Sequence, residues 1–405
     1  MGQHGQPTDG NGHEQIANVE RIYLDNAATS WPKPESVYAA VDHAQRILGA
    51  PAGRGGYQQV ADALRLIDQT RGMIARLINA PQSRNIAFTF NGTDSLSTAI
   101  FGLLKNGDHV VTSVVEHNSV LRPLNQLEST GAIEATYIGC DETGTFDAQE
   151  VLDAIRPDTR LVCLIHVSNV TGSIQPLKEI KAGIAKSKNP QAIFLVDAAQ
   201  SLGHLEIDVQ SLGCDVLTAP GHKGLLGPLG TGVLYVADAL ADEIRPLRFG
   251  GTGGASSEEV QPTSMPEKFE SGNLNVPGIA GLKAGIEFLI SDDGASAKET
   301  WNTNSQILLE GLLAVDGVTL HGHNKMDDRV GVFSLGLAGF DCHEAASVLE
   351  TVAGVQTRAG LHCAPLLHRT LGTESTGGTI RLSVGFFNTD AQIQTTLAAI
   401  SEIAN

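Results

Sequence analysis

The chain has 405 residues, more than one hydrophobic core usually supports, so we expect a large domain with a smaller one. Its 45 acidic and 27 basic residues give a net charge of −18, which argues against binding to nucleic acid or to an anionic membrane. The five cysteines are odd in number and never form a Cys-x-x-Cys pair, which argues against disulfides or a zinc site and favours a reducing cytoplasm. No apolar run is long enough to span a membrane. Residues 1–20 do not resemble a signal peptide, and we predict that they form a disordered tail.

Between residues 34 and 236, short β-branched runs alternate with amphipathic stretches, a pattern typical of βα units on a mostly parallel sheet. Helical periodicity is clearest over residues 58–79. Strands are predicted at 86–90, 109–115, 133–137, 159–166, 192–196, 214–219 and 232–236. This pattern predicts a large α/β domain.

Residues 248–277 are dense in Gly, Ser, Thr and Pro, which indicates a linker or a binding loop. Beyond them, helices are predicted at 278–290, 300–315, 343–352 and 390–403, and strands at 329–336 and 379–383. These elements predict a smaller α+β domain. We assign residues 33–276 to the large domain, and 21–32 with 277–405 to the small one.

Two neighbouring predicted strands each lead to a chemically informative side chain. Asp197 ends an apolar run, where such a residue alone is more often a helix cap. It can instead pair with a pyridinium nitrogen while Gln200 bonds the phenolic oxygen of the same ring. Lys223 follows the next strand and can hold an aldehyde cofactor as a Schiff base. Together these residues predict pyridoxal 5'-phosphate as the cofactor.

A phosphate site is predicted in the run Asn91-Gly-Thr-Asp-Ser95, which contains Thr93 and Asp94. The run lies between a strand and a helix, where free backbone N–H groups and the helix dipole favour an anion, although an ordinary helix cap is the alternative. His117, just beyond strand 109–115, is predicted to stack on the cofactor ring, although a lone histidine at a strand end is usually a surface or capping residue. Asn169 is predicted to reach the cofactor or substrate from the adjacent strand end.

Cys363 lies in the loop Thr357-Arg-Ala-Gly-Leu-His-Cys-Ala-Pro365, where Gly360 is predicted to let the loop swing. Arg358 and His362 are expected to favour its thiolate, which makes it a candidate nucleophile. Arg381 lies between apolar residues on a predicted strand. It suits a bidentate clamp on an amino acid's carboxylate, and an internal ion pair is equally compatible with it.

With these residues the chain resembles the fold-type I, class V pyridoxal-phosphate enzymes. It is most similar to the cysteine desulfurases of the group that includes the SUF-type desulfurases and selenocysteine lyases. The matching motifs are Tyr23-Leu-Asp-Asn-Ala-Ala28, Glu116-His117, His166-Val-Ser-Asn-Val-Thr-Gly172, Val196-Asp-Ala-Ala-Gln200, Gly221-His-Lys223 and Arg358-Ala-Gly-Leu-His-Cys363. They extend over almost the whole chain after residue 20.

The resemblance implies a sulfurtransferase that converts L-cysteine to L-alanine. Lys223 would hold the cofactor and move the Cα proton, and Cys363 would take the sulfur as a persulfide for an acceptor protein, as in iron–sulfur cluster assembly. The implied cofactor contacts are Asp197, Gln200, His117, Asn169, and, near the phosphate, Thr93, Asp94 and His222. The implied substrate contacts are Arg381, Asn169 and Arg358.

The family is also homodimeric, and a loop matching Phe269-Glu-Ser-Gly-Asn-Leu-Asn275 completes the partner subunit's site. Here Asn273 stands where that loop usually offers threonine, and Pro220 stands where many relatives have a hydroxyl residue. Both differences concern the phosphate site, because proline donates no hydrogen bond. The alternatives left open are a selenocysteine lyase or other C–S lyase, a class V aminotransferase or epimerase, and a protein that keeps the fold without catalysis.

Overall fold

The structure is a computed structural model that describes residues 21–53, 55–251 and 259–404, so the predicted tail at 1–20 lies outside the described residues. The strands are β1 (Ile22–Tyr23), β2 (Ile86–Thr89), β3 (Asp108–Ser113), β4 (Ile133–Ile138), β5 (Thr159–Ile165), β6 (Ile193–Asp197), β7 (Val216–Pro220), β8 (Gly232–Val236), β9 (Val318–His321), β10 (Val332–Leu337), β11 (Val355–Gln356), β12 (Arg358–Gly360) and β13 (Thr379–Ser383). The α-helices are α1 (Glu35–His43), α2 (Gln58–Leu77), α3 (Gly92–Leu103), α4 (Asn118–Ser129), α5 (Ala148–Asp153), α6 (Leu177–Ile184), α7 (Val209–Leu212), α8 (Val276–Leu289), α9 (Asp292–Ala314), α10 (Cys342–Ala353), α11 (Pro365–Thr370) and α12 (Asp390–Ala404).

The large sheet has seven strands in the order β2-β8-β7-β6-β5-β3-β4. All of its pairs are parallel except those of β8, which runs antiparallel to β2 and β7. Its central strands are apolar along their whole length because both faces of the sheet are covered. Alternate residues enter two separate cores: Val162 and Val196 pack with α2, α6 and α8, whereas Leu161 and Leu195 pack with α3 and α4.

The smaller unit contains a four-stranded antiparallel sheet in the order β12-β13-β10-β9. A core of its own joins this sheet to α9, α10 and α12. Strand β1 pairs in parallel with β11, and the assignment of residues 21–32 to this unit stays a prediction. The overall class is therefore the predicted one, a large, mostly parallel α/β sheet with a smaller α+β part.

Element boundaries differ from the predictions where a local signal was overlooked. Helix α9 begins at Asp292 rather than at residue 300, because the Ser291 side chain caps it by accepting the N–H of Gly294. Strand β3 ends at Ser113, so Val115 belongs to the turn that leads to α4. Within the described ranges, no helix combines the length and apolar character needed to cross a membrane.

Candidate active site

A cavity of about 190 Å³ opens at the C-terminal ends of β5, β6 and β7. Its lining comprises Asn91, Gly92, Thr93, Leu96, His117, Ser119, Ile165, Asn169, Asp197, Ala199, Gln200, Pro220, His222 and Lys223. Seven predicted site residues, contributed by separate stretches of the chain, therefore meet in one space. A larger cavity of about 650 Å³ beside α6 contains none of them, so volume alone does not identify the site.

Asp197 and Lys223 lie at this edge because their strands are parallel neighbours. Asp197 is the last residue of β6 and pairs with Thr218 of β7, the strand that leads to Lys223. Burial raises the pKa of Asp197, opposed by the N–H of Ala199 and by the charge of Lys223. Burial lowers the pKa of Lys223 to about 8, opposed mainly by Asp197. A pyridine ring that carries an aldehyde requires an acid group for its nitrogen and an amine for its aldehyde. Asp197 and Lys223 can supply these two groups.

Gln200 lies on the loop beyond β6 and is buried in the same cavity. Its Nε2 donates to the Ala27 carbonyl at 2.9 Å, which fixes the side chain. The amide carries a second N–H, so it can also donate to a phenolic oxygen. This arrangement fits the role predicted for it.

His117 is held as a neutral imidazole. It caps α4, and its Nδ1 accepts the N–H of Ser119 at 3.0 Å, which leaves the ring proton on Nε2. Burial, together with the positive charge of Lys223, lowers its pKa to about 4. The ring can therefore lie against a cofactor without adding a positive charge.

Ser119, which the sequence analysis did not single out, connects His117 to the predicted phosphate site. Its Oγ lies 2.9 Å from Nδ1 of His117 and 2.8 Å from Oγ1 of Thr93. Its position in the first turn of α4, two residues beyond a predicted site histidine, was the available signal.

Glu116, quoted only as part of a motif, also has a structural role here. Its Oε1 accepts hydrogen bonds from Ser113 Oγ at 2.7 Å and from the Ile165 N–H at 3.0 Å. Burial raises its pKa to about 8. The buried side chain therefore ties the end of β3 to the end of β5 and positions the adjacent His117.

The start of α3, where the phosphate site is predicted, lines the cavity. Asn91 caps the helix by accepting the Asp94 N–H at 2.9 Å, and a side chain at Gly92 would come within 3.2 Å of Pro220. The first turn therefore presents backbone N–H groups and Thr93 to the cavity, where the helix dipole favours an anion. Pro220 lines the same space without an N–H to donate.

His222 offers a second kind of donor to the predicted phosphate site. Its Nδ1 is buried and has no hydrogen-bond partner among the residues the structure describes. Burial lowers its pKa to about 4, so the ring is neutral and one of its nitrogens carries a proton. A buried, unsatisfied imidazole nitrogen beside a helix start fits a phosphate group.

Two predicted phosphate contacts lie elsewhere. The Asp94 carboxylate is occupied by an ion pair with Arg248 and by the Phe90 N–H, so the structure does not bring it to the cavity, contrary to prediction. Asn273 lines a separate cavity with Phe90 and Arg248. It does not reach the cofactor cavity of its own chain.

Arg381 is buried at the centre of β13, with 2% of its surface exposed. Its Nη2 donates to Asp25 Oδ1 at 2.7 Å and its Nη1 to the Asn169 carbonyl at 3.1 Å. The internal ion pair left open as an alternative is therefore present. The Nε group is buried and has no partner within the described part of the chain, and Arg358 lies directly opposite on β12. Two positive charges, on Arg358 and Arg381, therefore face one negative charge, on Asp25. This excess of positive charge favours the binding of a further anion.

The thiol loop follows β12 and is hydrogen-bonded to the start of α4 and to the loop beyond β5. The Cys363 carbonyl accepts the Asn118 N–H at 2.7 Å, and the His362 carbonyl accepts Nδ2 of Asn169 at 2.7 Å. His362 and Cys363 have φ angles of 49° and 60°, a left-handed conformation that residues other than glycine rarely adopt. Such backbone strain is common at functional sites. These bonds place Cys363 beside the residues that line the cavity.

The prediction that His362 favours the thiolate is wrong. Its side chain is buried, and its Nε2 lies 3.0 Å from Thr379 Oγ1. Burial lowers its pKa to about 2, so the ring carries no charge. The cation that interacts electrostatically with Cys363 is Arg381. Gly360, predicted to let the loop swing, is itself paired with Thr379 in the sheet.

Comparisons with known proteins identify the family of the chain. A model of the aminotransferase class-V family matches residues 22–396. A probable cysteine desulfurase from Methanothermobacter thermautotrophicus is 35% identical over 388 residues, 95% of each chain. One from Pyrococcus abyssi is 34% identical over 394 residues, 95% of this chain and 94% of the relative.

Two solved structures confirm the predicted fold class. The apo cysteine desulfurase from Thermococcus onnurineus NA1 superposes with a TM-score of 0.87 at 32% identity, covering 95% of this chain and 94% of that one. The cysteine desulfurase CsdA from Escherichia coli, in an S-sulfonic acid form, gives 0.83 at 26% identity and 96% coverage of both chains. From the match over residues 22–396 and these likenesses along nearly the whole length, the chain belongs to the aminotransferase class-V family.

Proposed function

We propose that the chain is a pyridoxal-phosphate-dependent cysteine desulfurase that converts L-cysteine to L-alanine and passes the sulfur through Cys363 to an acceptor protein. The observation that carries this proposal is that Lys223 and Asp197 line one cavity. The Cys363 loop accepts a hydrogen bond from Asn169, which lines the same cavity, and another from Asn118. The proposed cofactor-binding residues come from the C-terminal ends of four adjacent strands, β3, β5, β6 and β7, and from the start of α3.

When bound, pyridoxal phosphate supplies an aldehyde carbon and an electron-withdrawing ring. Asp197 would hold the ring nitrogen, Gln200 the phenolic oxygen, and Thr93 with His222 the phosphate. Lys223 would bind the aldehyde and then take the Cα proton of the substrate. Its pKa of about 8 leaves part of the amine unprotonated at neutral pH, so it can act as a base.

Arg381 would bind the carboxylate of cysteine, with Asn169 and Arg358 beside it. The Cys363 thiolate would attack the substrate sulfur, so that an S–S bond forms as the C–S bond breaks. The electron pair of the broken bond stays with the carbon skeleton, which takes up protons and leaves as alanine. The persulfide on Cys363 then awaits an acceptor, and we place this chemistry in a reducing cytoplasm.

The test is to measure products from L-cysteine with the purified, cofactor-loaded protein. We expect alanine in the same amount as the sulfur removed, and more free sulfide when a reductant is added. Pyruvate in place of alanine would indicate a C–S lyase, and an amino group transferred to a keto acid would indicate an aminotransferase. A protein that stays colourless with added cofactor would favour a non-catalytic role.

A second proposal is that two copies form a homodimer. Large apolar side chains are exposed around Asn273, with Phe90, Leu229 and Phe249 close in the chain to the residues that line its cavity. Phe249 is 73% exposed, which is costly for a phenyl ring in water. A second copy covering this surface would bury these side chains and bring Asn273 towards the partner's predicted phosphate site.

Phe249→Glu is expected to weaken the dimer, because it places a charge in the surface that the partner would cover. Sedimentation velocity should show a dimer for the wild type and mainly monomer for the variant. Val352→Glu is the matched control, since Val352 is also exposed but lies on α10, which packs in the core of the smaller unit and does not line the Asn273 cavity. A wild-type protein that sediments as a monomer would contradict the proposal.

A further inference from the structure

The arginine assigned to the substrate's carboxylate already holds a carboxylate of its own chain. Asp25 forms an ion pair with Arg381, in which 22% of the Asp25 side chain and 3% of the arginine side chain are exposed. The Asp25 backbone is also fixed, because it bridges Ser383 of β13 and its carbonyl accepts the Ala28 N–H at 3.0 Å. The Asp25 carboxylate is therefore held in place by its own backbone, and it contacts Arg381 while part of it remains exposed to solvent.

The remaining groups of Arg381 show room for one more anion. Its Nη1 is occupied by the Asn169 carbonyl, while its Nε is buried without a partner among the described residues. Arg358 is the direct cross-strand neighbour of Arg381, and like charges in that position repel each other. Asp25 offsets one of these two positive charges. The second charge remains for a ligand that carries a single carboxylate.

We propose that Asp25 is a specificity residue that orients Arg381 and at the same time lowers its affinity for the carboxylate of an amino acid. This inference depends on the proposed function, since it assumes that an amino acid binds here. The Asp25 hydrogen bond fixes the plane of the guanidinium, and the Asp25 charge repels the incoming carboxylate. The product alanine carries the same carboxylate, so Asp25 also favours its release.

The two effects of Asp25 can be separated by substitution. Asp25→Asn keeps an oxygen that accepts from Nη2 and removes the charge, so L-alanine should bind about fivefold more tightly. Asp25→Ala removes the acceptor as well and leaves the guanidinium without its orienting bond, so L-alanine should bind about tenfold more weakly. L-alaninamide, which lacks the carboxylate, should bind all three proteins equally well.

The experiment titrates cofactor-loaded wild type, Asp25→Asn and Asp25→Ala with L-alanine and with L-alaninamide, using the cofactor absorbance as the signal. The ratio of the two affinities within one preparation is insensitive to a fraction of unfolded protein. The proposal is supported if the affinity for L-alanine divided by that for L-alaninamide is higher in Asp25→Asn than in the wild type, and lower in Asp25→Ala than in the wild type.

Equal weakening by both substitutions would assign Asp25 a structural role only and would overturn the proposal. The same follows if neither variant differs from the wild type, or if alaninamide binding changes as much as alanine binding. Failure of the proposed function looks different, because the wild type itself would then give no spectral response to L-alanine and no alanine from cysteine.

Discussion

Lys223→Ala is expected to abolish alanine formation from L-cysteine, with a fall in kcat of roughly 10⁴-fold or more, because one amine both holds the cofactor and moves the proton. The variant should also lose the visible absorbance of lysine-bound cofactor. Lys178→Ala is the matched control, since Lys178 is exposed and lines the separate cavity beside α6. A Lys223→Ala protein that still shows lysine-bound absorbance would place the covalent link elsewhere.

The buried position of Lys223 also predicts the pH dependence of cofactor uptake. Only an unprotonated amine attacks an aldehyde, and raising the pH towards the Lys223 pKa of about 8 increases that fraction. For wild-type protein freed of cofactor, the rate at which added pyridoxal phosphate becomes lysine-bound should rise about tenfold per pH unit below pH 8 and level off above it. A rate that continues to rise up to pH 10 would mean that burial does not lower this pKa.

Cys363→Ala should keep the colour of the bound cofactor and lose cysteine turnover by roughly 10³-fold, because the nucleophile that accepts the sulfur is gone. Mass spectrometry of the cysteine-treated wild type should find one added sulfur on the peptide that contains Cys363. The same variant assayed with L-selenocysteine separates the alternatives, since a selenocysteine lyase would retain activity without this thiol.

Cys140→Ala is the matched control for that experiment. Cys140 and Cys363 are both partly exposed, while the other three cysteines are buried. Burial raises the pKa of Cys140 to about 11, so at neutral pH it stays a thiol and should not acquire sulfur. Sulfur found on Cys140, or alanine formed at the full rate without sulfur on Cys363, would exclude the proposed mechanism.

The central part of the site was predictable because its signals are local. An apolar run that ends in Asp197, followed by another that leads to Lys223, describes two buried parallel strands whose ends meet at one edge. The structure brings both side chains into one cavity. The same reasoning located Thr93 and His117, since each follows a recognisable strand.

The rest depends on contacts that local patterns do not contain. Asp25 and Arg381 are separated by 356 positions in the sequence, yet they form an ion pair. Strand β12 has only three residues, too few to show a period of two. The charge of His362 was misjudged for a related reason, because its burial follows from packing against residues such as Thr379 rather than from its neighbours in sequence.

The hydrogen bonds from Asn118 and Asn169 have a consequence for sulfur delivery. They anchor the main chain at Cys363 and at the residue before it to the body that holds the cofactor. In the mechanism we propose, the sulfur carried by Cys363 would move only by rotation about the Cα–Cβ and Cβ–Sγ bonds of that residue, a reach of a few ångströms. We therefore expect a recipient protein to bring its own thiol to the Cys363 loop, because the main chain of that loop is anchored on both sides of the His362–Cys363 peptide bond.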